Sequence, residues 1–265
     1  MKKEVFVLGN NVVSDYFSQK KGYRVEPYSW LFDEEYTYET MAEYKAVIYC
    51  EEKRTGPLSD LLSINYAVPN NICAYLKDRK IPFVYISTAE LYNGNYDWEK
   101  TKEELLDLNI SSDYLLTKRI AERVLEEKDA LILRIKNPFS EYSHPDNWLQ
   151  KLLKEENPSN WMDCHSYLPD LERCIEVLLL RKKTGIYNVV QTETGSDLHY
   201  LLQLGRIVLN SDKFKTYTPQ DEMNDGKIGA DINSSKMKEI VQFQPMNFAV
   251  IYCTEKLKNN LDNTP

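Results

Sequence analysis

Phe83-Val84-Tyr85-Ile86-Ser87-Thr88-Ala89-Glu90-Leu91-Tyr92 opens with four apolar residues and then turns to small hydroxyl side chains. Four β-branched or aromatic residues are too few for a helix, and their composition suits a buried strand. Downstream, the charged amphipathic run 111–128 is predicted to be a helix, and a spacing of four places Tyr114 and Lys118 on one of its faces, a turn apart. A second apolar strand, Ala130-Leu131-Ile132-Leu133-Arg134, follows directly. If the end of the first strand meets that helix face, a phenol, an ammonium and a hydroxyl converge at Tyr114, Lys118 and Thr88.

A phenol is protonated at neutral pH and is a poor base until a neighbouring cation favours the phenolate. Lys118 is read as that cation. Thr88 would bond the oxygen of a carbonyl or alcohol, where Tyr114 gives or takes a proton as hydride moves to or from a nicotinamide. The spacing alone is not selective, because Tyr16/Lys20, Tyr49/Lys53, Tyr96/Lys100 and Tyr252/Lys256 share it. What distinguishes Tyr114 is the strand with its Ser-Thr end upstream and the second strand just after.

Working back to the start, Glu4-Val5-Phe6-Val7-Leu8 is a short strand that stops at Gly9, and Asn10-Asn11 lead into a helix predicted over 12–20. Strand, turn and helix at this point suit a nucleotide-binding unit, whose helix start holds a diphosphate on free N–H groups. Only one glycine is present. In a G-x-x-G-x-x-G register the next two positions are Val12 and Asp15, and a register that skips a residue places Ser14 third, which is kinder to phosphate. Asn10 and Asn11 tolerate positive φ better than most residues. Tyr23-Arg24-Val25-Glu26 is the second strand; Glu26 would accept from a ribose hydroxyl and favour NAD, whereas Arg24 would favour the extra phosphate of NADP. The stretch 28–44 is read as a loop plus a short helix.

Ala46-Val47-Ile48-Tyr49-Cys50 is the third strand. A helix over 60–79 carries Asn65 in its first half and Pro69 inside, where proline should kink or divide it. Strands alternating with helices through residue 135 predict parallel pairing, right-handed crossovers and a doubly wound α/β sheet. Ligands of such sheets bind beyond the carboxyl ends of the strands, so Gly9, Cys50, Thr88 and Asn137 are expected along one edge. Past Arg134 the pattern changes: 141–166 reads as a loop around a short helix at 147–155, followed by a helix over 170–180, a strand over 185–190, a helix over 197–209, and a polar tail over 254–265 expected to fray.

The 265 residues, 42% hydrophobic and 28% charged, suffice for a full core. A net charge of -8 argues against general nucleic-acid binding. No apolar run is long enough to span a bilayer and the first residues do not read as a signal peptide, so a cytoplasmic location and no membrane partner are expected. Five scattered cysteines without C-x-x-C, and His144, His165 and His199 far apart, support neither a disulfide framework nor a metal site.

Taken together, these residues resemble the extended short-chain dehydrogenase/reductase family, in its nucleotide-sugar epimerase, reductase and dehydratase branch. Val84 to Tyr92 is similar to the branch's strand ending in Ser-Ser/Thr-Ala-x-Val-Tyr, and Tyr114-Leu115-Leu116-Thr117-Lys118 with Ala121-Glu122 to its Tyr-x-x-Ser-Lys-x-x-x-Glu helix. Ile64-Asn65-Tyr66 resembles the segment that completes the family's Asn-Ser-Tyr-Lys set, and Leu133-Arg134-Ile135-Lys136-Asn137 its Leu-Arg-x-x-Asn. Gly185-Ile186-Tyr187-Asn188 and Asp231-Ile232-Asn233-Ser234-Ser235-Lys236 are similar to a late strand and turn of reductases acting on nucleotide-linked 4-keto-6-deoxy sugars.

The resemblance implies a Rossmann-type domain over 1–140 and a smaller substrate-binding region over 141–265, with 185–190 as a strand added to the main sheet. It implies NAD or NADP as cofactor and a nucleotide-sugar substrate, and leaves a homodimer open. Tyr114, Lys118, Thr88 and Asn65 are the implied catalytic set. Gly9, Asn10, Asn11, Ser14, Glu26, Cys50 and Lys118 would hold the cofactor, and Ser87, Glu90 and Asn137 the substrate. The dehydratases carry an Asp-Glu pair where this chain has Ala89-Glu90, which places dehydration behind reduction of a 4-keto sugar or 4-epimerisation. The single-glycine loop motivates a further alternative, a relative that binds sugar nucleotides without catalysis.

Overall fold

The computed structural model describes residues 3–32, 38–95, 97, 99, 101–103, 110–154, 158–191, 195–204 and 229–262. The strands in chain order are β1 (Lys3–Leu8), β2 (Tyr23–Glu26), β3 (Tyr44–Tyr49), β4 (Phe83–Thr88), β5 (Leu131–Ile135), β6 (Pro138–Phe139), β7 (Ser166–Tyr167) and β8 (Gly185–Asn188). Six of them form one parallel sheet in the order β2-β1-β3-β4-β5-β8. This is a Rossmann-like α/β fold. The chain steps outward from β1 to β2 and then crosses back to β3, so the order reverses between β1 and β3, and ligand crevices of open α/β sheets form at such a point.

Both faces of the sheet are covered. Alternate strand residues Val7, Ile48, Val84 and Leu133 pack with Val13 and Phe17 of α1 (Val12–Ser18) and Leu171 and Ile175 of α7 (Leu168–Leu180). The intervening residues Phe6, Tyr49, Tyr85 and Ile132 pack with Ile72 and Leu76 of α4 (Val68–Lys77) and Ala121 and Leu125 of α5 (Asp113–Glu126). Burial on both faces explains why these strands read as continuous apolar runs.

Helix α5 buries Tyr114, Leu115, Thr117, Lys118, Ala121, Glu122 and Leu125, a stripe at spacings of three and four that takes an ammonium and a carboxylate inside with it. Buried charges need partners, and those partners define the site described below.

Pro69 falls in the first turn of α4, where its missing N–H is harmless. The helix predicted over 60–79 is divided just before it: α3 (Leu58–Leu62) passes into one turn of π-helix, Ser63–Ala67, and only then into α4. In the predicted loop at 141–166, Ser166–Tyr167 is a strand pairing with Pro138–Phe139, and two residues are too few to show a period. The polar tail expected to fray over 254–265 is helical as far as it is described, in Met246–Asp262, and residues 263–265 lie outside the described residues. Met246, Ala249, Val250, Cys253 and Leu257 recur at helical spacing through it and pack against α6 (Trp148–Leu152) and α8 (Asp197–Leu204). The end of the helix predicted to 209 and the Tyr96/Lys100 pair lie outside the described residues. Among those described, no helix is long and apolar enough to cross a membrane.

Candidate active site

The carboxyl ends of β1 and β3 meet closely. A Cβ at Gly9 would stand 2.6 Å from Cys50 Sγ and 2.9 Å from the Glu51 nitrogen, so glycine is required by contact with the neighbouring strand end. Gly9 N–H donates to the Glu26 carbonyl at 3.0 Å, and Arg24 Nε donates to the Glu26 carboxylate at 2.8 Å. Asn11 caps α1: its Oδ1 accepts from the N–H groups of Val13 (3.0 Å) and Ser14 (3.3 Å), and its Nδ2 donates to the Cys50 carbonyl.

The Ser14 hydroxyl closes this capping box. It accepts from Asn11 N–H and donates to the Asn11 carbonyl, each at 2.8 Å, so the group expected to face a phosphate serves the cap. Asn10 contributes its backbone N–H, which donates to Glu51 Oε2 at 2.8 Å. Burial pushes the Glu51 carboxyl above its ordinary value, and the Asn10 bond opposes that. Cys50 is buried, which raises its thiol far above the usual range. Asp15, the carboxylate that would repel a phosphate, lies 3.6 Å from His144 Nε2 and is half exposed.

At the end of β4, Thr88 Oγ1 accepts from Glu90 N–H at 3.2 Å and caps the 3-10 turn Ala89–Tyr92. Ser87, expected to face substrate, lines the cleft described below, and its hydroxyl donates to Glu122 Oε1 at 2.7 Å. That carboxylate is held by Arg134 through two bonds, Nε to Oε1 at 2.8 Å and Nη2 to Oε2 at 2.7 Å, with both side chains fully buried. Strands β4 and β5 and helix α5 are thereby tied together directly below Thr88.

Tyr114 does not bond Lys118. Its Oη donates to Glu52 Oε2 at 2.7 Å and accepts from Arg54 Nη1 at 3.3 Å, while the guanidinium lies 4.5 Å from the ring centroid. Burial pushes the phenol well above its ordinary value, the Glu52 carboxylate adds to that, and Arg54 opposes it. The cation beside the phenol is therefore Arg54 and not, as the spacing suggested, Lys118. Lys118 Nζ donates to the Ile86 carbonyl at 2.9 Å and sits over the Tyr85 ring; burial lowers its pKa against the pull of Glu52 and Glu122. For Glu52, burial alone would raise the carboxyl, and Lys118 and Arg54 outweigh it, leaving it below its ordinary value. Arg54 also donates to Glu52 Oε1 (3.1 Å) and to Glu90.

Asn65 acts on the loop rather than on the phenol. Its Oδ1 accepts from Lys53 N–H at 2.9 Å, and its Nδ2 donates to the Lys53 carbonyl (2.8 Å) and Thr117 Oγ1 (3.0 Å). The π-turn that carries it is held by two phenols of the sheet: Tyr49 Oη donates to the Ile64 carbonyl at 2.7 Å and Tyr85 Oη to the Asn65 carbonyl at 2.8 Å. Glu52 and Arg54 are positioned by this chain of bonds.

A cleft of about 290 Å³ runs along the strand ends, from Asn11, Val12 and Val13 past Cys50, Glu52 and Arg54 to Thr88, Glu90 and Pro138. A second cavity of about 240 Å³ shares Glu90, Lys136, Asn137 and Trp148 with it and adds Asn93, Trp161, Asp163 and Asp197. Asn137, at φ +44°, donates to Asp163 Oδ2 (2.8 Å) and the Cys164 carbonyl (3.2 Å). Lys136 Nζ is 2.6 Å from Asp163 Oδ1. Sequence reasoning missed Glu51, Glu52, Arg54, Lys136, Trp148 and Asp163. For the first three a signal existed: a charged run begins directly after Cys50, the residue that follows the buried strand β3, close to the position relative to its strand that drew attention to Gly9 and Thr88.

No family model and no curated protein matches the chain. Solved structures do. UDP-rhamnose synthase from Acanthamoeba polyphaga mimivirus is similar at TM-score 0.77 and 18% identity, over 97% of this chain and 100% of that one. dTDP-4-dehydrorhamnose reductase from Bacillus anthracis, in complex with NADP, is similar at 0.72 and 16%, over 100% and 99%. UDP-glucuronic acid 4-epimerase from Bacillus cereus, in complex with NAD, is similar at 0.71 and 13%, over 98% of each chain. At these identities the shared property is the fold.

Proposed function

We propose that this chain is an NAD(P)-dependent oxidoreductase acting on a nucleotide-linked sugar, and that it reduces a 4-keto-6-deoxy sugar. The observation that carries the reading is the composition of one cleft at the carboxyl ends of a Rossmann-like sheet: a capped helix start at one end, the Thr88 hydroxyl in the middle, and Tyr114 joined to the cleft through Glu52. The names of the structural neighbours, two of which hold NAD or NADP, support the same class.

Cys50, Ile86 and Thr88 line the cleft beside the switch point, and the nicotinamide of a bound cofactor would lie against them. Val13, Cys50 and Thr88 would flank it there, with Glu26 at the end of β2 as the acceptor for a ribose hydroxyl. Bound nicotinamide supplies hydride to the carbonyl carbon. The side chains do the rest: Thr88 orients the carbonyl oxygen and Tyr114 is the proton source. We take residues 1–140 as the cofactor side and 141–265 as the substrate side. Trp148 and Trp161 would offer aromatic faces to the sugar nucleotide in the second cavity, with Asn93, Lys136 and Asn137 for its polar groups.

We rank reduction ahead of 4-epimerisation on the segments Gly185-Ile186-Tyr187-Asn188 and Asp231 to Lys236, which are similar to those of 4-keto reductases; burial and Glu52 favour the protonated phenol, which the reducing step of either reaction consumes. A second reading, sugar-nucleotide binding without dinucleotide, is favoured by the Glu51 carboxylate on Asn10 N–H, an anion beside the place where a diphosphate would lie. Fluorescence titration with NADH and NADPH, followed by turnover of UDP- and dTDP-linked 4-keto-6-deoxyglucose, separates the two. Saturable binding and oxidation of the cofactor support the enzyme; no saturable binding of either leaves the second reading.

A further inference from the structure

We propose that Glu52 is the relay by which the proton of Tyr114 reaches the cleft, so that the acid of this site is a Tyr114–Glu52 pair. The inference rests on the oxidoreductase reading and adds a residue to which the family resemblance gives no part.

Three contacts carry it. Glu52 lines the cleft and Tyr114 does not, yet Tyr114 Oη donates to Glu52 Oε2 at 2.7 Å, within the range of a strong bond to a carboxylate. Lys118, the partner suggested by spacing, has its ammonium on the Ile86 carbonyl. Arg54 touches both members, at 3.1 Å from Glu52 Oε1 and 3.3 Å from Tyr114 Oη, so one fixed cation faces the pair whichever member carries the negative charge. Among the described residues, the other charged or titratable groups facing the pair are Glu90 after β4, Tyr85 on β4, Lys118 on α5, and Cys50 and Glu51 just after β3.

The proton balance is simple. Converting a carbonyl to an alcohol takes one hydride, which the nicotinamide supplies, and one proton. The two transfers are concerted: the Oη–H bond of Tyr114 breaks as Glu52 takes its proton, while Glu52 gives a proton to the forming alkoxide and the substrate O–H bond forms, so that no neutral Glu52 beside a free phenolate accumulates. Glu52 ends as the carboxylate it began as. The phenolate beside Arg54 is refilled from water along the same path after the product leaves.

The test compares wild type, Glu52→Gln, Glu52→Ala and Tyr114→Phe. General acid catalysis contributes at least about 100-fold, so Glu52→Gln should lower kcat by roughly that factor while the Kd for reduced cofactor stays within about twofold. The kcat of Glu52→Ala should rise with added formate, a small acid that replaces the missing carboxyl. In cofactor-free protein the tyrosinate difference absorbance against Tyr114→Phe isolates the one phenol, and loss of the Glu52 charge should move its ionisation to lower pH. Retention of kcat within about threefold in Glu52→Gln, or no response of Glu52→Ala to formate, overturns the relay. If wild type oxidises neither NADH nor NADPH, it is the oxidoreductase reading that has failed. The cofactor-free titration then decides the coupling by itself, and an unchanged ionisation overturns it.

Discussion

Replacing Glu122 by glutamine keeps the shape of the side chain and removes one charge from the most enclosed ion pair described. Arg134 and Glu122 are fully buried and joined by two bonds of 2.8 and 2.7 Å; Ser87 donates a third at 2.7 Å and Arg119 approaches at 3.3 Å. Glu122→Gln leaves the Arg134 guanidinium without its counter-charge, and removing one partner of a buried pair costs about 3–5 kcal/mol. In a chain of this size that corresponds to a fall of roughly 10 °C in Tm. Thermal melts followed by circular dichroism at neutral pH measure it.

The pH dependence has a definite sign. Burial would raise the Glu122 carboxyl, and Arg134 outweighs it with charge and hydrogen bonds, so the group stays below its ordinary value. A carboxyl depressed in the folded state contributes stability that is complete above its unfolded value of about 4.3 and is lost as pH falls through the folded value. The gap between wild type and Glu122→Gln should therefore narrow below about pH 4 and stay constant near neutrality. The double variant Glu122→Gln/Arg134→Met should recover more than half of the loss, because no uncompensated charge remains. A Glu122→Gln protein melting within about 2 °C of wild type would refute the assignment of this pair as the tie between β4, β5 and α5.

Gly9→Ala brings a methyl to 2.6 Å from Cys50 Sγ and should destabilise by about 1–3 kcal/mol, read as a lower denaturation midpoint. Thr88→Val removes the cap of the 3-10 turn, about 1 kcal/mol in urea unfolding, and should reduce kcat for a 4-keto sugar more than the Kd of cofactor. Asn65→Ala strands the Lys53 N–H and carbonyl, and should cost about 2–4 kcal/mol while weakening cofactor binding through the displaced Glu52–Arg54 loop. All five cysteines are free and buried, so a thiol reagent should label the native protein slowly and reach its full extent only after unfolding.

The sheet was legible because its central strands are apolar on both faces, and α5 because its stripe repeats at three and four. The order of Gly9, Cys50, Thr88 and Asn137 along one edge follows from strand position alone, and Cys50, Thr88 and Asn137 all line the cleft. The partners of the site side chains were not legible. Tyr114 meets Glu52 across 62 positions of chain, and Ser87 meets Glu122 across 35, so neither bond leaves a local pattern. The π-turn at Ser63–Ala67 is likewise set from outside, by phenols of two sheet strands, and nothing in Ser63-Ile64-Asn65-Tyr66-Ala67 itself departs from helix-compatible residues.

The cap on α1 bears on how the ligand-free protein behaves. Asn11 and Ser14 supply oxygen acceptors to the N–H groups of Asn11, Val13 and Ser14, so these three donors are satisfied without any phosphate from outside. A dinucleotide arriving there would exchange acceptors at Val13 and Ser14 rather than satisfy vacant donors, which lowers its affinity; because ligand stabilisation follows RT ln(1 + [L]/Kd), a larger excess of nucleotide would then be needed for a given rise in Tm.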